Sequence, residues 1–330
     1  MENIFTIGLQ IIAWFQGLGA WLTPIMQLFT FLGSTQFYLI VAPALLWCID
    51  ATLGLRMGLF LMISGMLNTV IKVAIHGPRP YWYTSDVKVL TSAENSFGAP
   101  SGHAMNSVVV WGTLADRIKS RTVWIIAVLL MFFIGISRID LAVHFPHDVL
   151  VGWLFGAILL WLLLRLEKPV ASWLNQRKVG IQLLLIFLFS LFLGGLVLIA
   201  QFSLRGWTIP MQWVNNAHLA FPNEPAINPL SYHNFLPDIG AFFGLAAGWI
   251  WITRLGGFST RDAWYKLLLR YILGVAGVLI LYLGLGALFE ETETIISYVL
   301  HYLQYALIGF WISGFAPWIF VKLKLASHLK

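Results

Sequence analysis

Charge is what this chain is shortest of. Only 10% of its 330 residues are Asp, Glu, Lys or Arg, while 59% are hydrophobic and the mean hydropathy is +0.81. A soluble domain averages about 25% charged and about 45–50% apolar residues, so an integral membrane protein is predicted. Acidic residues are the scarcer sign, 14 against 20 basic ones. A net charge of +6 would suit nucleic acid. No basic run interleaved with polar residues builds a phosphate-tracking groove, however, and no nucleic-acid partner is expected. Cysteine is nearly missing: Cys48 stands alone in an apolar run, which excludes an intrachain disulfide and leaves a small buried hydrophobe. Soluble domains and low-complexity tracts are missing too. The glycines at 194–195 and from 274 to 286 suit close helix contacts, and no glycine loop for phosphate is implied.

What the chain has is long apolar runs. Segments of membrane length can be drawn at 25–49, 57–75, 101–116, 122–139, 147–165, 179–200, 237–253, 271–289 and 295–320. The expected fold is an all-α polytopic membrane helical bundle of about nine spans. Its third and fourth members are short or end on polar residues, as where a helix mouth meets a water-filled site. Ahead of them, Phe5, Leu9, Ile12, Phe15 and Leu22 recur without Lys or Arg, which predicts an interfacial helix without the features of a cleaved signal. The expected division is an N-terminal interfacial helix at 1–24, a catalytic transmembrane core at 25–168, and a further transmembrane bundle at 169–330. That last part contains a proline-broken outer loop, 201–236, read as a lid or a connector. Asn215, His218, Glu224, Tyr232, His233 and Asn234 are its candidates for reaching a substrate.

Basic residues orient the bundle. Arg56, Arg117, Lys119, Arg121, Arg165, Lys168, Arg177, Lys178, Arg254, Arg261, Lys266, Arg270, Lys322, Lys324 and Lys330 fall in alternate loops or at the C-terminus, fifteen of the twenty. The other five are Lys72, Arg79, Lys88, Arg138 and Arg205, on a side that also carries Glu290, Glu291 and Glu293. The fifteen predict a cytoplasmic C-terminus, with the opposite face in the periplasm, outside the cell or in an organelle lumen.

That sparsely basic face nevertheless carries three cations in short motifs: Lys72-x6-Arg79-Pro80, Pro100-Ser101-Gly102-His103, and Ser137-Arg138-x5-His144-x3-Asp148. Lys72, Arg79 and Arg138 offer positive charge to the oxygens of one phosphate, and Ser101 with the Gly102 N–H adds neutral donors. His144 and Asp148 lie four apart. On a helix they share a face, so the carboxylate can hold one ring nitrogen and leave the other as a nucleophile. His103 is then the group to protonate the leaving oxygen. Singly, Lys72 or Arg138 would be read as snorkelling; as a set on the face that lacks positive charge, they point to a site. His144, His147 and Asp148 also have metal-ligand spacing, but three neighbouring cations disfavour a divalent ion, and neither metal nor cofactor is expected. Tyr81, Trp82 and Tyr83 read as interfacial aromatics.

These motifs resemble the type 2 phosphatidic acid phosphatase superfamily, which includes glucose-6-phosphatase and the vanadium haloperoxidases. The resemblance covers about the span from Lys72 to Asp148. It implies a metal-independent phosphatase in which His144 becomes a phosphohistidine, Asp148 orients it, His103 is the general acid, and Lys72, Arg79, Ser101, Gly102 and Arg138 hold the phosphate. Leu67-Asn68-x3-Lys72, Gly77-x-Arg79-Pro80-Tyr81-Trp82 and Phe97-Gly98-x-Pro100-Ser101-Gly102-His103-Ala104-Met105 look like the glucose-6-phosphatase branch. The loop from Arg79 to Pro100 is shorter than in that branch. A membrane-embedded pocket also admits a lipid tail between helices, so the expected substrate is first a lipid phosphate or diphosphate and second a sugar phosphate. A phosphotransferase passing the group to an alcohol, and a transporter, are the alternatives from other classes.

Overall fold

The computed structural model describes residues 2–289 and 292–329; Glu290, Glu291 and Lys330, used above in the charge distribution, lie outside the described residues. Among the described residues there is no strand. The helices are α1 (Glu2–Gly17), α2 (Leu22–Leu32), α3 (Thr35–Cys48), α4 (Ala51–Ile75), α5 (Pro80–Tyr83), α6 (Gly102–Ile118), α7 (Arg121–Asp140), α8 (Pro146–Asn175), α9 (Val179–Ser203), α10 (Met211–Ala220), α11 (Leu236–Arg254), α12 (Trp264–Gly286), α13 (Ile295–Phe310) and α14 (Ala316–Lys322). A 3-10 turn at Tyr232–Asn234 precedes α11, and a π-helical turn at Trp311–Phe315 joins α13 to α14.

Seven of these helical segments are long and apolar enough to cross a membrane, or up to eight if the bent pair α1–α2 forms one span. The count of nine is therefore approximate, and lengths explain the difference. The run expected at 25–49 is interrupted at Gly33-Ser34, so that α2 and α3 are separate helices. At 1.5 Å per residue, α3 is about 21 Å long and α6 about 25 Å, both short of a hydrocarbon core of about 30 Å. α1 and α2 meet at a bend of 117°.

The chain forms two compact units, each discontinuous in sequence. One comprises the chain up to Phe37, Leu67–Leu162 and Leu196–Ser231; the other comprises Tyr38–Met66, Leu163–Gly195 and the chain from Tyr232 on. The first unit contains every motif residue. Its core has two clusters. Met26, Tyr81, Trp82, Phe97, Leu141 and Val143 form one, and Ile12, Ala104, Ile139, Ala142, Phe145 and Val149 form the other. Phe5, Leu9 and Phe15 of α1 pack on the second cluster, and an added Cβ at Gly8 would lie 2.7 Å from the Phe145 ring. The apolar stripe of α1 is thus spent on the loop that carries His144. Tyr81 and Trp82, expected at an interface, are instead fully buried, because α10 lies over α5.

In the second unit, α11 packs on α13 with backbones nearly touching. An added Cβ at Gly244 would lie 2.0 Å from the Ala306 carbonyl oxygen, so only glycine permits that approach.

Candidate active site

Four helix ends build the site. Lys72 lies in the last turn of α4 and Arg138 in the last turn of α7, where a cation complements the exposed carbonyls. Ser101 caps α6 by accepting from the Ala104 N–H at 3.4 Å, which sets His103 in the first turn. Pro146 opens α8 with its fixed φ, and Asp148 follows in the first turn. The carboxylate Oδ2 of Asp148 accepts from the Phe145 N–H at 2.9 Å, and the same oxygen is 3.4 Å from His144 Nδ1. One local interaction therefore starts the helix and aims the carboxylate at the imidazole.

The structure brings the candidates together. Lys72, Arg79, Ser101, Arg138, His144 and Asp148 are all buried, and His103 and Gly102 are partly so. Arg79 is the hub. Its Nε donates to the Ser96 carbonyl at 2.6 Å, and Nη1 donates to the Val143 carbonyl at 2.9 Å and faces His144 Nε2 at 3.2 Å. Its guanidinium also lies 5.9 Å from the centre of the Trp82 ring. Lys72 Nζ donates to the Phe97 carbonyl. Arg138 Nη1 donates to Thr30 Oγ1 at 2.5 Å, while its Nε is buried with no hydrogen-bond partner among the described residues. The Ser101 N–H donates to the Asp148 carbonyl at 2.9 Å, tying α6 to α8. Asn68, on the turn of α4 above Lys72, donates to the Pro100 carbonyl at 3.2 Å. Gly98 has no room for a side chain, since an added Cβ would lie 2.4 Å from the Pro78 carbonyl oxygen and 3.2 Å from Asp148 Oδ2.

Electrostatics fix the state of the imidazole. Burial first, and then the positive charges of Arg79, Lys72 and Arg138, hold His144 well below the ordinary histidine pKa. The ring is neutral. With Nδ1 directed to Asp148 and Nε2 accepting from Arg79, its lone pair points into the cationic pocket. His147, set aside as a metal ligand, stacks on Phe145 with ring centres 5.3 Å apart and lies 3.3 Å from Asp148 Oδ1.

Glu94 escaped the sequence reading. Its Oε1 is 2.5 Å from Arg138 Nη2 and its Oε2 3.3 Å from Arg79 Nη2. Burial alone would raise its pKa, but Arg79 and Arg138, followed by His103 and Lys72, outweigh that and hold the carboxyl well below its usual range. Thr30 was missed as well, having no signal beyond a hydroxyl in an apolar run. The segment 201–236 contributes residues other than those nominated. Trp207 packs on His76 and Phe97, Trp213 on Trp82, and Phe221 on Tyr81, while Asn216 Nδ2 donates to the Trp82 carbonyl at 3.0 Å. Asn215, His218 and Glu224 are exposed, and Tyr232, His233 and Asn234 belong to the second compact unit. Beside this wall, a cleft of about 270 Å³ is lined by Tyr81, Thr84, Ser85, Lys88 and Asn216 among others.

Three buried cations around a neutral imidazole held by a carboxylate can bind a tetrahedral dianion and present a nucleophile to its centre. On helices of membrane length, that arrangement defines a membrane-embedded phosphate-ester enzyme. Residues 53–172 match the PAP2 superfamily and residues 238–328 match the PAP2 superfamily phosphatase, transmembrane extension. The chain is 25% identical to human glucose-6-phosphatase 3 over 96% of its own length and 95% of that protein's. It is 32% identical to phosphatidylglycerophosphatase B of Bacillus subtilis, over 46% of this chain and 77% of that one. A crystal structure of a PAP2-type phosphatidylglycerolphosphate phosphatase from Bacillus subtilis aligns with a TM-score of 0.43 at 29% identity, over 52% of this chain and 89% of that one. The chain belongs to the PAP2 superfamily and is a multi-pass membrane phosphatase.

Proposed function

We propose that this phosphatase works through a phosphohistidine on His144. The observation that carries the reading is the placement of that ring, with Nδ1 on Asp148 and Nε2 beside Arg79. The Nε2 lone pair forms the N–P bond as the P–O bond to the leaving group breaks, and His103 gives the departing oxygen its proton. Water then attacks the phosphohistidine, surrendering a proton to His103, and phosphate leaves with His144 restored. Lys72, Arg79, Arg138, Ser101 and the Gly102 N–H hold the non-bridging oxygens, where negative charge is concentrated in transfer. The division of basic residues supports a cytoplasmic C-terminus and a site on the opposite face.

For substrate, similarity to a glucose-6-phosphatase along nearly the whole chain supports a polar phosphate monoester such as a sugar phosphate first. That reverses the order expected from the sequence. A lipid phosphate is the second reading, favoured by the higher identity to phosphatidylglycerophosphatase B. Purified protein in detergent with chelator, offered glucose 6-phosphate, phosphatidic acid and a polyprenyl diphosphate, separates the two by phosphate release. Rapid quench with labelled substrate should trap an acid-labile phosphoenzyme that His144→Ala lacks; a phosphoenzyme in that variant would overturn the mechanism. In intact cells, with Cys48 replaced, a cysteine near Lys88 should react with an impermeant thiol reagent and one near Lys119 should not. The reverse pattern would overturn the orientation.

A further inference from the structure

Every group placed around the phosphate is a cation or a neutral donor, and the one carboxylate that ion-pairs with Arg79 or Arg138 among the described residues is Glu94. Its two oxygens engage one guanidinium each, as two oxygens of a phosphate would. Its charge is felt by Arg79, Arg138, His103 and Lys72, four of the groups assigned to phosphate binding and leaving-group protonation. We propose that Glu94 is an internal stand-in for the substrate phosphate, seated on the same guanidinium edges, and that substrate binds by displacing it. This rests on the phosphate-cradle reading given above.

Three further observations support displacement over permanent bridging. Glu94 retains 28% side-chain exposure, against 1% for Arg79 and 2% for Arg138, so the carboxylate has a route to solvent that the arginines lack. The backbone around it is held independently of the carboxylate. Tyr81 Oη donates to the Glu94 carbonyl and accepts from the Glu94 N–H, both at 3.0 Å, and Asn95 Oδ1 accepts from the Asn228 N–H at 2.5 Å. Ser96 accepts from Arg79 through both its carbonyl and its hydroxyl. Rotation of one side chain therefore clears the site without moving the loop. Formal charge completes the argument: Lys72, Arg79 and Arg138 against Asp148 leave +2, which a phosphate monoester dianion neutralises, whereas the dianion with Glu94 still seated leaves an excess negative charge beside it.

Displacement lowers apparent affinity by the fraction of molecules in which the site is open. Removing the charge of Glu94 therefore tightens anion binding, whereas a scaffold that merely aligns the two arginines would lose affinity on the same change. The test is Glu94→Gln in the full chain, in detergent, with dissociation constants for inorganic phosphate and orthovanadate measured by calorimetry alongside KM. Both anions should bind on the order of tenfold more tightly, with a matching fall in KM. Glu94→Asp keeps the charge on a shorter arm that spans the two arginines less well, and should fall between wild type and Glu94→Gln. Unchanged or weaker anion binding in Glu94→Gln would overturn the proposal while leaving the phosphate cradle standing. Wild-type protein that binds neither anion would overturn the cradle and this inference together.

Discussion

Two buried arginines, one in each compact unit, show how a proposed phosphate-binding group differs from a structural one. Arg270 in α12 donates to the Leu325 carbonyl at 2.9 and 2.5 Å, to Ser259 O at 3.0 Å, to Trp47 O at 3.2 Å and to Asp262 at 3.0 Å. Main-chain carbonyls cannot turn away, so this guanidinium fixes the end of α3, the loop before α12 and the C-terminal tail to one another. Arg138 is as deeply buried, yet its acceptors are the side chains of Thr30 and Glu94, and its Nε has no partner among the described residues. The partners of Arg138 can rotate away for a ligand, whereas three of the four groups that accept from Arg270 are backbone carbonyls. Both guanidiniums are buried, and what differs is the set of partners each one holds.

The largest effect should come from exchanging the two roles by mutation. On the proposed assignment of Arg138 to the transferring phosphoryl group, Arg138→Ala should lower kcat/KM by about 10²–10³, the scale of one oxyanion donor. Arg270→Met strands the carbonyls of Leu325, Ser259 and Trp47 and should destabilise the fold, by about 1–3 kcal/mol for each carbonyl left buried without a donor. Its kcat/KM per folded molecule should not change. Thermal unfolding in detergent, with active molecules counted by phosphoenzyme burst, reads both quantities. Loss of turnover per active molecule in Arg270→Met would break the distinction.

Confined to the first unit, and dependent on the leaving group, is the effect of His103→Ala. A general acid matters most for a leaving group that departs poorly as an anion. Loss of His103 should lower turnover of an alkyl phosphate by about 10²–10⁴, and of an aryl phosphate by much less. Equal losses for the two would place His103 in phosphate binding, beside Arg138, and remove it from proton transfer.

What could be read from the sequence follows the same line. The cluster of cations, histidines and Asp148, whose roles are those proposed above, could be singled out because phosphoryl chemistry uses those residue types at such spacing and because the neighbouring loops are poor in Lys and Arg. Glu94 was not, because a lone acid among Ser92, Ala93, Asn95 and Ser96 reads as an ordinary solvated loop residue. Only the fold shows it to be the partner of two buried cations. Tyr81 and Trp82 were read as interfacial because hydropathy cannot see α10 closing over them. The count of about nine spans is approximate at Gly33-Ser34 for a related reason: an apolar average runs smoothly across a break that two small residues create in the backbone.

The subtlest difference between the units is their response to acid. His144 is kept neutral in the native state by burial and by Arg79, Lys72 and Arg138, so its native pKa lies well below the ordinary value of about 6.5. The unfolded chain takes up a proton there that the native state refuses. The contribution of His144 to stability is therefore full above about pH 6.5 and falls as pH drops below it. The second unit behaves otherwise at Arg270. Its partner Asp262 has a lowered pKa, chiefly through the Ala263 N–H and also through Lys266 and Arg270, so its contribution persists down to the unfolded carboxyl value of about 3.9 and is lost only below that. Hydrogen-exchange protection factors, corrected for intrinsic rates at each pH, should fall between pH 7 and 5 for peptides spanning 138–148. Those spanning 256–271 should hold steady over the same interval. A parallel decline in both would mean that the two buried arginine clusters open as one cooperative unit and that His144 does not set the acid sensitivity of the site.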